Sequence, residues 1–76
     1  MRELIEMIVK SLVDRPERVE VREVEDENAL VIELRVAPED IGKVIGKEGR
    51  TIKAMRTLLH AAAIKTGRKT QLEILE

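Results

Sequence analysis

Ile41-Gly42-Lys43-Val44-Ile45-Gly46-Lys47-Glu48-Gly49-Arg50-Thr51-Ile52-Lys53 is the stretch on which the reading of this chain turns. It sets a G-x-x-G loop, Gly46 to Gly49, between two apolar-patterned segments with basic residues on both sides. Glycine adopts backbone angles that other residues resist, and it has no Cβ to block close approach. A turn with glycine at both ends can therefore bring its backbone against a sugar-phosphate chain. The segment after Gly49 reads as a helix, whose free N–H groups and positive dipole end favour an anion. Lys47, Arg50 and Lys53 add charge beside it, and Lys43 lies one turn upstream. The bland alternative is a tight helix–helix turn. The frame argues against it: Val44-Ile45 directly before the loop, Ile52 three residues after it, and the element order around it. A Walker A loop is excluded by spacing, because Gly42 and Gly46 have three residues between them and Lys47 is followed by Glu48. A dinucleotide fingerprint is excluded because these glycines have the wrong spacing and lie among helices.

Outward from the loop, the periodicity of the chain changes. Leu4, Ile5, Ile8 and Leu12 fall at helical spacing, which predicts an amphipathic helix over residues 2–14 that Pro16 stops. Val19 and Val21 alternate with Arg18, Glu20 and Arg22 as a strand does. Residues 25–28 are a polar turn, and Leu30, Ile32, Leu34 and Val36 alternate with Val31, Glu33 and Arg35. The two runs predict a hairpin. Pro38 suits a first helical turn and Glu39 and Asp40 suit its positive end, so residues 38–45 read as a short helix. A longer helix is expected over residues 50–66, capped by Gly67, and Leu72 and Ile74 mark a last strand. The order is α-β-β-α-α-β, an α+β fold with no linker or repeat. A two-helix crossover favours a parallel last strand beside the second one. The expected sheet is mixed, three-stranded and covered by helices on one face.

The chain has 76 residues, which predicts one small domain of modest stability. It has no cysteine, which excludes disulfides, thiol nucleophiles and cysteine zinc sites. No apolar run reaches the roughly 20 residues that span a bilayer, and Met1-Arg2-Glu3 opens directly into a helical pattern, so no signal peptide and a cytoplasmic location are expected. There is no Phe, Tyr or Trp, so readers that stack bases on such residues, RRM-type and OB-type, are poor models. The net charge of −1 is unevenly spread: residues 1–40 carry six Lys/Arg against twelve Asp/Glu, whereas residues 41–70 carry eight Lys/Arg against Glu48 alone. The basic block coincides with the glycine loop, which favours a polyanion partner over a merely solvated face. No nucleophile–base pair, metal-ligand set or cofactor loop is present, so neither an enzyme nor a cofactor or small-molecule substrate is expected.

Residues 41–52 resemble the Ile-Gly-x-x-Gly-x-x-Ile core of a KH domain. The helix and two strands ahead of them resemble the type II, prokaryotic arrangement. The whole length, with Arg56-Thr57-Leu58-Leu59 further on, is similar to the small bacterial single-KH family called KhpA or YlqC. The resemblance implies that Gly46, Lys47, Glu48 and Gly49 contact the backbone of about four nucleotides. It implies that Ile41, Val44, Ile45 and Ile52, with Gly42 among them, partly line an apolar groove for the bases. Gly67, Arg68 and Lys69 would correspond to the variable loop on the groove's other side. It further implies an RNA chaperone or post-transcriptional regulator that pairs with itself or with a larger KH protein of the Jag type in control of cell elongation and division. One departure is Glu48, where the family often has Lys, Gln or Gly. A carboxylate near phosphate is unfavourable, so its replacement by Gln or Lys is expected to tighten RNA binding.

The remaining residues divide between core and surface. Ile52, Met55, Leu59 and Ala63 make one helical stripe, assigned to the core. Leu58, Ala61 and Ile64 are left over on another face, and an arc this wide usually meets something else, here a dimer partner. A protein-interaction module with incidental RNA binding is therefore the second reading. His60 is assigned no chemistry, the carboxylates of residues 17–33 read as a solvated face, and Met1, Met7 and Met55 read as core or terminus.

Overall fold

The first helix of the computed structural model, which describes residues 2–75, is α1, Arg2–Leu12. It buries Ile5 and Val9 completely, with Ile8 and Val13 packed at the edge of the core. Leu4 and Leu12, expected inward, are each 37% exposed, and Met7 is solvent-facing rather than core. Met1 lies outside the described residues. Helical spacing is satisfied equally by several stripes, and packing against the sheet selects the one centred on Ile5 and Val9. Past the helix, Pro16–Arg18 form a single 3₁₀ turn.

Strand β1, Glu20–Glu25, pairs antiparallel with β2, Ala29–Arg35, placing Val21 opposite Leu34 and Glu25 opposite Leu30. The Asp26 carboxylate closes the hairpin by accepting the N–H groups of Asn28 at 2.7 Å and Ala29 at 2.8 Å. Strand β3, Lys69–Leu75, lies parallel to β2, with Lys69 beside Ala29 and Leu75 beside Arg35. The strand order β1-β2-β3 makes β3 an edge. On the inner face, Val21, Leu30, Ile32, Leu34 and Leu72 meet residues of the helices in one hydrophobic cluster. The other face carries Arg22 and Glu33, 3.8 Å apart. The mixed three-stranded sheet covered on one side is thus the expected α+β arrangement of a type II KH domain.

Between β2 and β3 run a 3₁₀ turn at Pro38–Asp40, helix α2 at Ile41–Ile45, a second 3₁₀ turn at Lys47–Gly49, and helix α3 at Arg50–Ala63. Ile52, Met55, Leu59 and Ala63 form the buried stripe of α3. A last 3₁₀ turn, Ile64–Thr66, is capped by Gly67 at φ 68°, whose N–H donates to the Ile64 carbonyl at 3.2 Å. The chain then reverses directly into β3. Its first residues therefore lie beside the end of α3, and its last residues beside the beginning. No helix of the described residues is long and apolar enough to cross a membrane.

Candidate nucleic-acid interface

Gly46 ends α2, its N–H donating to the Gly42 carbonyl at 2.9 Å, and turns the chain at φ 78°. The Gly49 N–H donates back to the Gly46 carbonyl at 3.0 Å and closes the loop. A Cβ on Gly46 would stand 2.3 Å from Thr51 Oγ1 and 2.9 Å from the Thr51 nitrogen, so only glycine fits. Gly49 holds φ 75°, and a Cβ there would meet only Lys53 Cε at 3.8 Å, whereas Gly42 is helical and an added Cβ would meet nothing within 4 Å. Glu48 itself sits at φ 57°, ψ 23°, a left-handed conformation that costs an L residue roughly 1–2 kcal/mol. The loop is thus held in shape by its two glycines and one strained residue.

Helix α3 starts directly on Gly49 with no side-chain cap and no acidic residue in its first turn. The Arg50 N–H donates to the Lys47 carbonyl, and the positive dipole end of α3 just beyond it favours an anion. Lys47 and Lys53 have no carboxylate within 4.0 Å among the described residues. The Lys53 side chain folds back over the loop, its Cε 3.8 Å from where a Gly49 Cβ would be. Arg50, by contrast, shares its charge with Glu48 across 3.5 Å, both side chains largely solvated.

Two expected contacts are corrected. Val44 is fully buried in the core and lines no groove, because α2 turns that side into the hydrophobic cluster, packing on α3 and α1. Lys43 points away from the loop: its ammonium bonds to the Asp14 carboxylate and lies 3.7 Å from Asp40. Asp40 is completely buried, accepting the N–H groups of Asp14 at 3.2 Å and Arg15 at 3.0 Å. This network fastens the end of α1 to the start of α2, which carries the loop. Burial works to raise the Asp40 pKa, but the two backbone donors and Lys43 outweigh it and hold the carboxyl below its usual range. The hydrogen bond to Asp14 raises the Lys43 pKa, against a smaller opposing effect of burial.

These shifts fix a pH dependence. The folded Asp40 binds its proton more weakly than the unfolded chain does, so its contribution is complete above about pH 4 and is lost as pH falls through the lower folded value. Asp40→Asn is expected to lower Tm on the order of 5 °C at pH 7. The gap to wild type should close toward pH 3 in thermal unfolding followed by circular dichroism. A gap independent of pH would mean that the carboxylate charge is not what fastens α1 to α2.

Beside the loop opens a groove of about 920 Å³. One wall is Ile45, Ile52, Arg56, Leu59 and His60, and the other is residues 70–75 of β3. Ile45, 38% exposed, and Ile52, 8% exposed, sit at the loop end of this groove. Ile41 is half-buried against the core, outside the groove lining. Arg68 binds Glu25 at 2.7 Å and the Lys69 N–H donates to the Asn28 carbonyl at 2.9 Å, so both are held at the hairpin end, outside the groove walls. The β3 wall, Arg56 and His60 are functional candidates that the sequence reading did not single out. The four-residue spacing of Ile52, Arg56 and His60 was the available signal. Leu58 and Ala61 are exposed on the flank of α3 opposite Arg56 and His60. Ile64, 63% exposed, lies past the helix in the last 3₁₀ turn, out of line with that flank.

Comparison with known families matches residues 2–74 to the model described as "KhpA/KhpB, KH domain". The chain is 57% identical to the RNA-binding protein KhpA of Clostridium perfringens over 75 residues, covering 99% of this chain and all of that protein. It is likewise 57% identical to the RNA-binding protein KhpA of Chlamydia muridarum, covering all of this chain and 97% of that one. With the protein of the same name from Borreliella burgdorferi it shares 54% identity over 97% of this chain and 90% of the other. No solved structure matches.

Proposed function

Because the chain belongs to the KhpA/KhpB KH-domain family, a non-enzymatic one, we propose that it binds single-stranded RNA, gripping the backbone at Gly46–Gly49 and laying bases into the adjoining groove. One observation carries the reading: Lys47 and Lys53, with no carboxylate within 4.0 Å among the described residues, flank a loop whose first position only glycine can occupy, at the mouth of a groove with an apolar floor. Arg50 is a third contact, to be freed from Glu48 when phosphate competes for it. The relatives named as RNA-binding proteins support the same partner.

Three phosphate contacts on a single strand give a slope of log affinity against log salt near −2. Anisotropy of a labelled single-stranded RNA pool should accordingly show affinity falling roughly 20-fold between 50 and 200 mM salt. Binding that ignores salt, or no binding at either concentration, overturns the reading.

The finer role is that of a cytoplasmic RNA chaperone or post-transcriptional regulator tied to cell elongation and division. A single four-nucleotide site is weak, and pairing two copies raises avidity through effective concentration. The exposed Leu58–Ala61 flank of α3 is the pairing surface we favour, because it lies opposite the groove and leaves that open. A second copy is one partner for it, and a larger KH protein of the Jag or KhpB type is the other. Ala61→Arg is expected to halve the mass of a homodimer in light scattering; an unchanged dimer mass would move the interface elsewhere.

A further inference from the structure

The glycine loop accounts for only one end of the groove. Ile52, Arg56 and His60 form a row along α3 at four-residue spacing, and all three line the same wall. At 1.5 Å per residue this row carries the wall about 12 Å beyond Ile52. The groove volume, about 920 Å³, stands at the upper end of what encloses a whole small ligand. It is more than a backbone grip at the loop requires. Across from His60 the opposing wall begins at Thr70, a neutral surface, with Glu73 the one carboxylate among the lining residues. Arg56 is exposed and has no carboxylate within 4.0 Å among the described residues. His60 is exposed too, and it is the only side chain in the protein with a planar aromatic ring, since Phe, Tyr and Trp are absent.

A base has a π-face that any planar ring can cover, and histidine serves as such a platform. A guanidinium one turn away supplies charge complementary to the backbone and can stack as well. From this placement we infer that Arg56 and His60 form the outer half of the RNA site, where His60 stacks a base and Arg56 contacts the adjoining phosphate or base. The site then runs from Lys47 and Lys53 at the loop, past Ile45 and Ile52, to His60. It holds a longer segment than the loop alone grips. This inference rests on the RNA reading, and its test separates the two.

The probes are unstructured RNA oligomers of four and eight nucleotides, titrated by anisotropy against the full chain. The variants are His60→Ala, His60→Phe and Arg56→Gln, all at exposed helix positions, with their folds checked by circular dichroism. His60→Ala should weaken the eight-mer about 5-fold, at the low end of a lost stacking contact, and leave the four-mer unchanged. His60→Phe should restore the eight-mer affinity. Arg56→Gln should weaken the eight-mer and flatten its salt slope by about one contact. If His60→Ala binds both lengths as wild type does, the outer half is not an RNA site while the loop reading stands. The same conclusion follows if His60→Phe is as weak as His60→Ala, or if the variants change the mass of the protein instead of its affinity. If wild type binds neither oligomer, both readings fall.

Discussion

A chain carrying Lys47→Asp and Glu48→Asp together is expected to lose single-stranded RNA binding, by at least ~10-fold in affinity. The change removes the loop's own cation and moves its charge by two units toward negative. The polyanion then meets two carboxylates where it met a lysine and a glutamate. The fold should be untouched, for reasons visible in the loop. Position 48 holds φ 57°, and Asp tolerates the left-handed region better than Glu does. Both new carboxylates stand just ahead of the positive end of α3, which favours them. Neither Lys47 nor Glu48 is buried. Circular dichroism should therefore match wild type while anisotropy shows the loss. Equal affinity in both proteins would make the loop a turn and nothing more. Glu48→Gln gives the opposite sign, because it removes a carboxylate from the phosphate path and frees Arg50, 3.5 Å away.

The placement of that loop was legible from sequence, and the reason is local. Gly46 and Gly49 punctuate two helical patterns, and the crossover they sit in dictates that β3 lie parallel to β2. What was not legible depends on contacts distant along the chain. Lys43 reads as a loop cation, yet Asp14, 29 residues earlier, claims its ammonium. Arg68 reads as a variable-loop cation across the groove, yet Glu25, 43 residues earlier, holds it at the hairpin. Val44 and Ile45 are neighbours of similar hydrophobicity, and only the rotation of α2 sends one to the core and the other to the groove. Asp40 reads as a helix-start carboxylate. Its burial and its bonds to two N–H groups at the end of α1 follow from packing that no periodicity encodes. The place of His60 was hidden for the same reason. Its meaning depends on the edge strand that α3 lies against, not on its own neighbours in the chain.

The three glycines of the motif look equivalent in sequence and are not equivalent in physics, which yields a graded result. Gly46→Ala should be the most damaging. It forces an L residue to φ 78° and drives a methyl group to 2.3 Å from Thr51 Oγ1 and 2.9 Å from the Thr51 backbone nitrogen. Strain and overlap together should cost about 2–4 kcal/mol. A chain of 76 residues has a total stability on the order of 4–11 kcal/mol. The loss is therefore a large share of the whole, and trimming Thr51 cannot rescue it, because the backbone nitrogen remains. Gly49→Ala bears only the left-handed conformation, roughly 1–2 kcal/mol, since Lys53 Cε at 3.8 Å can move aside. Gly42→Ala meets nothing within 4 Å and sits inside a helix, where alanine is favoured by roughly 0.5–1 kcal/mol, so it should stabilise. Urea unfolding of the three variants gives the order directly. Equal losses at all three positions would mean that the loop is mobile enough to absorb the clash at Thr51. RNA titration of Gly42→Ala then isolates approach from conformation: a stable variant that binds less well has had its backbone contact blocked by one methyl group, which would extend the RNA path one turn up α2.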